Sequence, residues 1–189
     1  MKWCSSSVME LRIAFCGASG TGKTTLAKYL GQLRGLPLNP VGSRTVSQAM
    51  GFDSPYDVDA AGRRGEFQHR LVTEKRAWED DHDSFVTDRT TLDNLAYTMF
   101  HDVYCIDEAL LQAVVAGMSR YTHIVYCPVS AFIKHGGDSA RVNSAVYHEL
   151  YDTTIEALLV RYKARHTKLL TLIGSQLEVR QATVKSFLE

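Results

Sequence analysis

Gly17-Ala18-Ser19-Gly20-Thr21-Gly22-Lys23-Thr24 carries the residue types and spacing of a phosphate-binding loop, G-x-x-x-x-G-K-[ST]. Its glycines let the backbone curl so that successive N–H groups point inward at phosphate oxygens. A helix starting at its end adds unpaired N–H donors and a partial positive charge. Lys23 can then reach the β- and γ-phosphates, and the Thr24 hydroxyl can sit on Mg²⁺, with Thr25 continuing the nucleotide-binding segment. The flanks agree. Leu11 to Cys16 is a short apolar run of strand type, and Leu26, Leu30 and Leu33 share one helical face. Strand, glycine loop and helix together imply binding of a nucleoside triphosphate.

Two further groups of residues can do chemistry. Phe85-Val86-Thr87-Asp88 reads as a strand ending in an acid, and parallel sheets gather ligands at the carboxyl ends of their strands. Asp88 is therefore expected on the rim of the phosphate loop, as a Mg²⁺ ligand or as the base for an attacking hydroxyl. Arg89 beside it is a forked donor suited to a phosphate or carboxylate of an acceptor. Further on, Lys134-His135-Gly136-Gly137-Asp138-Ser139-Ala140-Arg141 combines two glycines with cations. A mobile lid over 134–142 would bring Lys134 and Arg141 onto transferring phosphates and exclude water. Gly174-Ser175 is a turn that can touch the nucleotide base.

The elements that must position these groups follow from periodicity. Leu36 to Leu38 reads as a short second strand closed by Asn39-Pro40. Gly42 to Gly62 reads as irregular, with one helical piece near Thr45–Met50 and a solvated cluster of Asp53, Asp57 and Asp59. Phe67, Leu71, Lys75 and Trp78 form the packed stripe of a helix over 63–80. Helices are expected over 91–103 and from Asp107 to Ser119, then a strand over 122–127. A long helix over 143–165, a strand over 169–172 and a helix over 178–188 complete the chain. Strands alternating with helices predict an α/β sandwich of three layers, with about five parallel strands and helices on both faces.

Length and composition bound the rest. The 189 residues suit a single domain, with residues 1–10 as a loose leader. Lysines and arginines balance aspartates and glutamates at 21 each, which gives no general field for a nucleic-acid backbone. The four cysteines form no C-x-x-C pair, and Cys16 and Cys127 are expected as reduced thiols inside strands. With no signal-like start and no apolar run of membrane-spanning length, a soluble cytoplasmic protein without a membrane partner is expected.

Taken together, these segments resemble the P-loop kinases of the nucleoside and nucleotide type, above all the group related to the ribosylnicotinamide-kinase domain, termed AAA-like ATPases. The resemblance rests on Gly17–Thr24, on Gly65-Glu66-Phe67-Gln68, on the segment from Thr87 to Tyr97, and on Asp138–Arg141. Asp88-Arg89-x-x-x-Asp93-x-x-Ala96-Tyr97 is also similar to the Asp-Arg segment of thymidylate kinases. It implies ATP as donor with Mg²⁺, Arg89 on the phosphate of an acceptor nucleotide, and Arg141 as a lid arginine. Several nucleoside kinases place an acid after the second strand as base, yet Leu36 to Met50 contains none. Either Asp88 is the base, or the acceptor is already a phosphate, which Arg44 in that stretch can hold. Phosphoryl transfer to a nucleoside monophosphate is narrowly favoured, by a monomer or homodimer. A nucleoside hydroxyl and a 5-hydroxymethyl pyrimidine in DNA are the alternatives. An NTP-hydrolysing regulatory switch, ATPase or GTPase, is the rival from another class.

Overall fold

The computed structural model describes residues 10–129 and 144–189. The apolar run before the glycine loop is β1 (Arg12–Cys16), and α1 (Lys23–Arg34) follows the loop. Then come α2 (Ser43–Ala49), α3 (Pro55–Ala60), α4 (Arg64–Asp80) and β2 (Phe85–Asp88). α5 (Thr91–His101), a single 3₁₀ turn over Val103–Cys105 and α6 (Glu108–Met118) lead to β3 (His123–Tyr126). α7 (Ala145–Tyr162), β4 (Lys168–Thr171) and α8 (Leu177–Phe187) close the order.

The strands form one parallel sheet in the order β2-β1-β3-β4. Alternation along β1 sends Ile13 and Phe15 to a core shared with Leu26 and Leu30 of α1 and Val184 of α8. Ala14 and Cys16 face the opposite core, with Leu92 and Leu95 of α5, Leu110 of α6 and Tyr151 and Ile155 of α7. Helices thus cover both faces, which is why β1 after Arg12 and β3 after His123 run apolar or aromatic rather than alternating. Among the described residues no helix is long and apolar enough to cross a membrane.

Among the described residues the sheet has four strands, not about five. The strand expected over 36–38 is reduced to one bridge between Leu38 and Val86. The Pro37 carbonyl accepts from the Val86 N–H, and the Asn39 N–H donates to the Val86 carbonyl, both at 2.9 Å. Pro37 has no N–H to extend the ladder backward, and the Val41 N–H, next in line forward, turns to Asn39 Oδ1 at 2.9 Å, so the ladder stays at one bridge. The stretch from Gly42 to Gly62 also differs from expectation, because it holds two helices. Ser54 and Asp57 cap each other's backbone across the first turn of α3, and Pro55 occupies its first position. A serine, a proline and an acid at that spacing start a helix, not a solvated loop.

Along α4 the stripe packs as expected, with Phe67 and Leu71 buried in a small cluster against Val46 and Val58. Lys75 is buried with them and paired to buried Glu79 at 3.3 Å. Glu79 also accepts from the Tyr121 hydroxyl at 3.2 Å, so the pair ties α4 to the strand side.

Candidate active site

The glycine loop needs its glycines at particular points. Gly17 has φ +124°, and a Cβ there would stand 2.4 Å from the Cys127 carbonyl oxygen at the end of β3. Gly20 and Gly22 are also left-handed, at 81° and 80°. Gly22 is the N-cap of α1, without a side chain to occupy the first helical N–H groups. Lys23 is buried, with its ammonium directed back at the Ala18 carbonyl and the Thr21 hydroxyl, the latter at 3.1 Å. Burial, with the Arg89 charge adding to it, lowers its pKa to about 8. From the far side, buried Arg180 of α8 donates to the Thr21 carbonyl at 2.8 Å.

Asp88 ends β2 opposite Phe15 of β1, so register alone delivers it to the start of the loop. The Thr24 hydroxyl donates to Asp88 Oδ2 at 2.5 Å. Asp88 Oδ1 is buried and has no hydrogen-bond partner among the described residues. A hydroxyl and an unsatisfied carboxylate oxygen, side by side at a phosphate loop, are the hard oxygen donors that Mg²⁺ takes. The residues expected to hold that ion fit it.

Arg89 turns toward the loop. Its backbone has φ +93°, the only positive φ outside glycine among the described residues. Nη1 donates to the Gly17 carbonyl at 3.3 Å and to Asp93 Oδ1 at 3.2 Å. Nη2 donates to Ser19 Oγ at 3.3 Å and to the Tyr97 hydroxyl at 3.1 Å. Asp93 is fully buried and accepts also from the Gly17 N–H, from Thr90 and from the Tyr151 hydroxyl.

A cleft of about 700 Å³ runs from Lys23, Thr24 and Asp88 to a second half between α2, α4, α5 and α7. Phe67, Tyr97 and Tyr147 give that half aromatic walls, and Arg44 and Arg64 give it positive charge. Arg64 is buried, paired with Asp59, and its Nε has no partner among the described residues. Three more wall residues present polar atoms that no described residue satisfies: Gln68 Oε1, Asn94 Oδ1 and both ring nitrogens of His148. Buried polar atoms left without partners are costly, so a wall carrying this many is a candidate surface for a polar ligand.

Of the expected site residues, Ser19, Gly20, Gly22 to Thr25, Asp88, Arg89 and Arg44 come together around this cleft, whereas Gly17, Ala18 and buried Thr21 do not line it. Gly174 takes φ +103° in the turn after β4 and does not line the cleft. Lys134, Arg141 and the lid-like segment 134–142 lie outside the described residues. The Cys16 and Cys127 thiols are buried and pushed up by that burial, which leaves them unreactive. Sequence reasoning missed Asp93, Tyr97, Arg180, Gln68 and His148 as site residues. A signal existed for two of them, because Arg89, Asp93 and Tyr97 recur at the four-residue spacing of one helix face.

Solved structures share the fold. Deoxyadenosine kinase from M. mycoides is 14% identical, with TM-score 0.63 over 94% of this chain and 99% of that chain. Shikimate kinase from Aquifex aeolicus is 14% identical, with TM-score 0.60 over 94% and 96%. Thymidylate kinase from Ehrlichia chaffeensis is 14% identical, with TM-score 0.51 over 95% and 99%. At such identities the likeness is one of fold alone. No curated protein matches the chain in sequence. The glycine loop, the strand-end Asp88, the Arg89 cluster and the Gly174 turn all fall within residues 12–174, which match the family model of the AAA domain, and to that family the chain belongs.

Proposed function

We propose that the protein is an ATP-dependent kinase that moves the γ-phosphoryl group to a nucleotide or nucleoside-like acceptor, with a nucleoside monophosphate favoured. One observation carries the reading: a single cleft joins the Lys23, Thr24 and Asp88 cluster to a second half with aromatic walls and unsatisfied polar atoms. A hydrolytic switch would need only the first half. Phosphoryl transfer needs two substrates held in line, and charge neutralised between them, more than it needs covalent chemistry.

In this reading the loop N–H groups and Lys23 bind the β- and γ-phosphate oxygens. Thr24 and Asp88 would hold Mg²⁺, which supplies charge neutralisation on those oxygens when bound. Rings of Phe67, Tyr97 and Tyr147 suit a planar base, and the Gln68 and Asn94 amides suit its polar edge. Arg44 and Arg64 would hold an acceptor phosphate. The names of the structural neighbours support this range, since they include kinases of a nucleoside, a nucleotide and shikimate. A closer tie to the ribosylnicotinamide-kinase group rests on the segment resemblance alone. The unpartnered Asp88 Oδ1 also favours a second reading, with Asp88 as base for a nucleoside hydroxyl. A base embedded in DNA is less favoured on a chain without net charge.

The test is an acceptor screen read by mass spectrometry, with ATP turnover measured with and without each candidate. Acceptor-dependent transfer is expected. ATP turnover of equal rate without any acceptor, and no phosphorylated product, would replace a kinase with a hydrolase.

A further inference from the structure

We propose that Arg89, Asp93 and Tyr97 are positioning residues for the phosphate loop, holding its backbone at Gly17 and Ser19, so that Arg89 serves the donor nucleotide rather than the acceptor. The proposal rests on reading Gly17–Thr24 as the nucleotide site and deepens it.

Donor counting decides the direction. The two terminal nitrogens of a guanidinium carry four N–H groups. In Arg89 those nitrogens already make four hydrogen bonds, to the Gly17 carbonyl, Asp93, Ser19 and Tyr97. A planar fork onto an acceptor anion would have to break some of them. Gly17 is gripped on both sides of its Cα, with its N–H on Asp93 Oδ1 at 3.2 Å and its carbonyl on Arg89. Arg89 and Asp93 are themselves paired at 3.2 Å, which closes a ring of hydrogen bonds around the first glycine of the loop. Ser19, two residues on, is held by the Tyr97 hydroxyl at 2.8 Å. The Tyr97 ring lies 4.9 Å beneath the guanidinium and keeps it level.

The backbone accommodates this arrangement at some cost. Arg89 holds a left-handed φ of +93° while its N–H still bonds the Phe15 carbonyl at 2.9 Å. A non-glycine residue kept there is over-determined by its surroundings. Asp93 supplies that determination, as it is fully buried and caps α5 through the Thr90 N–H and hydroxyl, both at 2.8 Å. Its remaining support, the Tyr151 hydroxyl at 3.2 Å, comes from α7. The loop is therefore braced by two helices on the acceptor side before any nucleotide arrives.

The test is calorimetric titration of the full chain with Mg·ATP, in the absence of any acceptor. Arg89→Ala should weaken binding about tenfold, since several charge-assisted bonds that shape the loop are lost together. Tyr97→Phe keeps the ring and removes only the hydroxyl, and should weaken it about threefold. Arg89→Lys should not rescue, because an ammonium cannot span Gly17 and Ser19 as a fork does. The double variant should lose less than the product of the two, because both act through Ser19. Melting curves establish that each variant is folded at the titration temperature. If wild type binds Mg·ATP and folded Arg89→Ala and Tyr97→Phe bind it equally well, the inference fails and Arg89 returns to the acceptor. If wild type does not bind Mg·ATP, the proposed function itself falls and takes the inference with it.

Discussion

Lys23 is an ammonium that gives up its proton near pH 8, inside a loop shaped for triphosphate. Phosphate oxygens favour the charged form, so nucleotide binding should raise that pKa. kcat/KM for ATP reports the free enzyme and should fall on an alkaline limb near pH 8, whereas kcat should fall only at higher pH. Lys23→Arg should abolish the first limb, because guanidinium does not titrate there. The same shift bears on stability, with a definite sign. Between about 8 and 10.5 the unfolded chain holds the Lys23 proton while the folded one has lost it, so this contribution to stability rises with pH. Below about 8 the folded state carries the full penalty, at most about 3 kcal/mol. Chemical denaturation of Lys23→Met should lose the rise between pH 8 and 10, and that folded variant should have lost most phosphoryl transfer. For Asp88, pairing with Thr24 leads to the expectation that Asp88→Asn lowers kcat about a hundredfold and raises the Mg²⁺ concentration needed for half-maximal rate. An unchanged Mg²⁺ requirement with a flattened acid limb would make Asp88 the base instead.

At the scale of elements, the phosphate loop works because three neighbours press on it. The end of β3 leaves no room beside Gly17, α5 grips its backbone, and α8 reaches the Thr21 carbonyl through Arg180. Gly17→Ala would meet both a left-handed φ and a backbone oxygen, so it should cost about 2–4 kcal/mol in denaturation and abolish ATP binding. The loop, β1, α1, β2 and the long α7 were legible because each rests on a local pattern: a motif, an apolar run, a four-residue stripe. The second strand was overread, since Leu36 to Leu38 has the apolar character of a strand but carries Pro37, which has no N–H for the ladder. α3 was underread, since its signal was a capping pair, Ser54 with Asp57, inside a stretch that composition marked as polar loop. Arg180 lies far along the chain from the loop it supports, and no periodicity links the two. Gln68 and His148 were hidden for a related reason. A polar residue on a helix face becomes a wall residue only when other helices close the cleft around it.

Among the described residues the molecule is a parallel sheet with helices on both faces and a cleft at one rim, where the proposed function puts donor chemistry at one end and recognition at the other. That division predicts separable losses. Arg44 is exposed at the acceptor end, and Arg44→Ala should raise the acceptor KM about tenfold while leaving Mg·ATP affinity within about twofold. Equal loss of both affinities would mean that the two ends are not independent. The most direct measurement of the central claim is transfer of the terminal phosphate of γ-labelled ATP in the presence of nucleoside monophosphates and free nucleosides, with inorganic phosphate counted in the same reaction. The account predicts that label appears in a nucleoside diphosphate, or failing that in a monophosphate made from a nucleoside, and that this product is lost in Lys23→Ala. Label recovered only as inorganic phosphate, at a rate no acceptor changes, would contradict it.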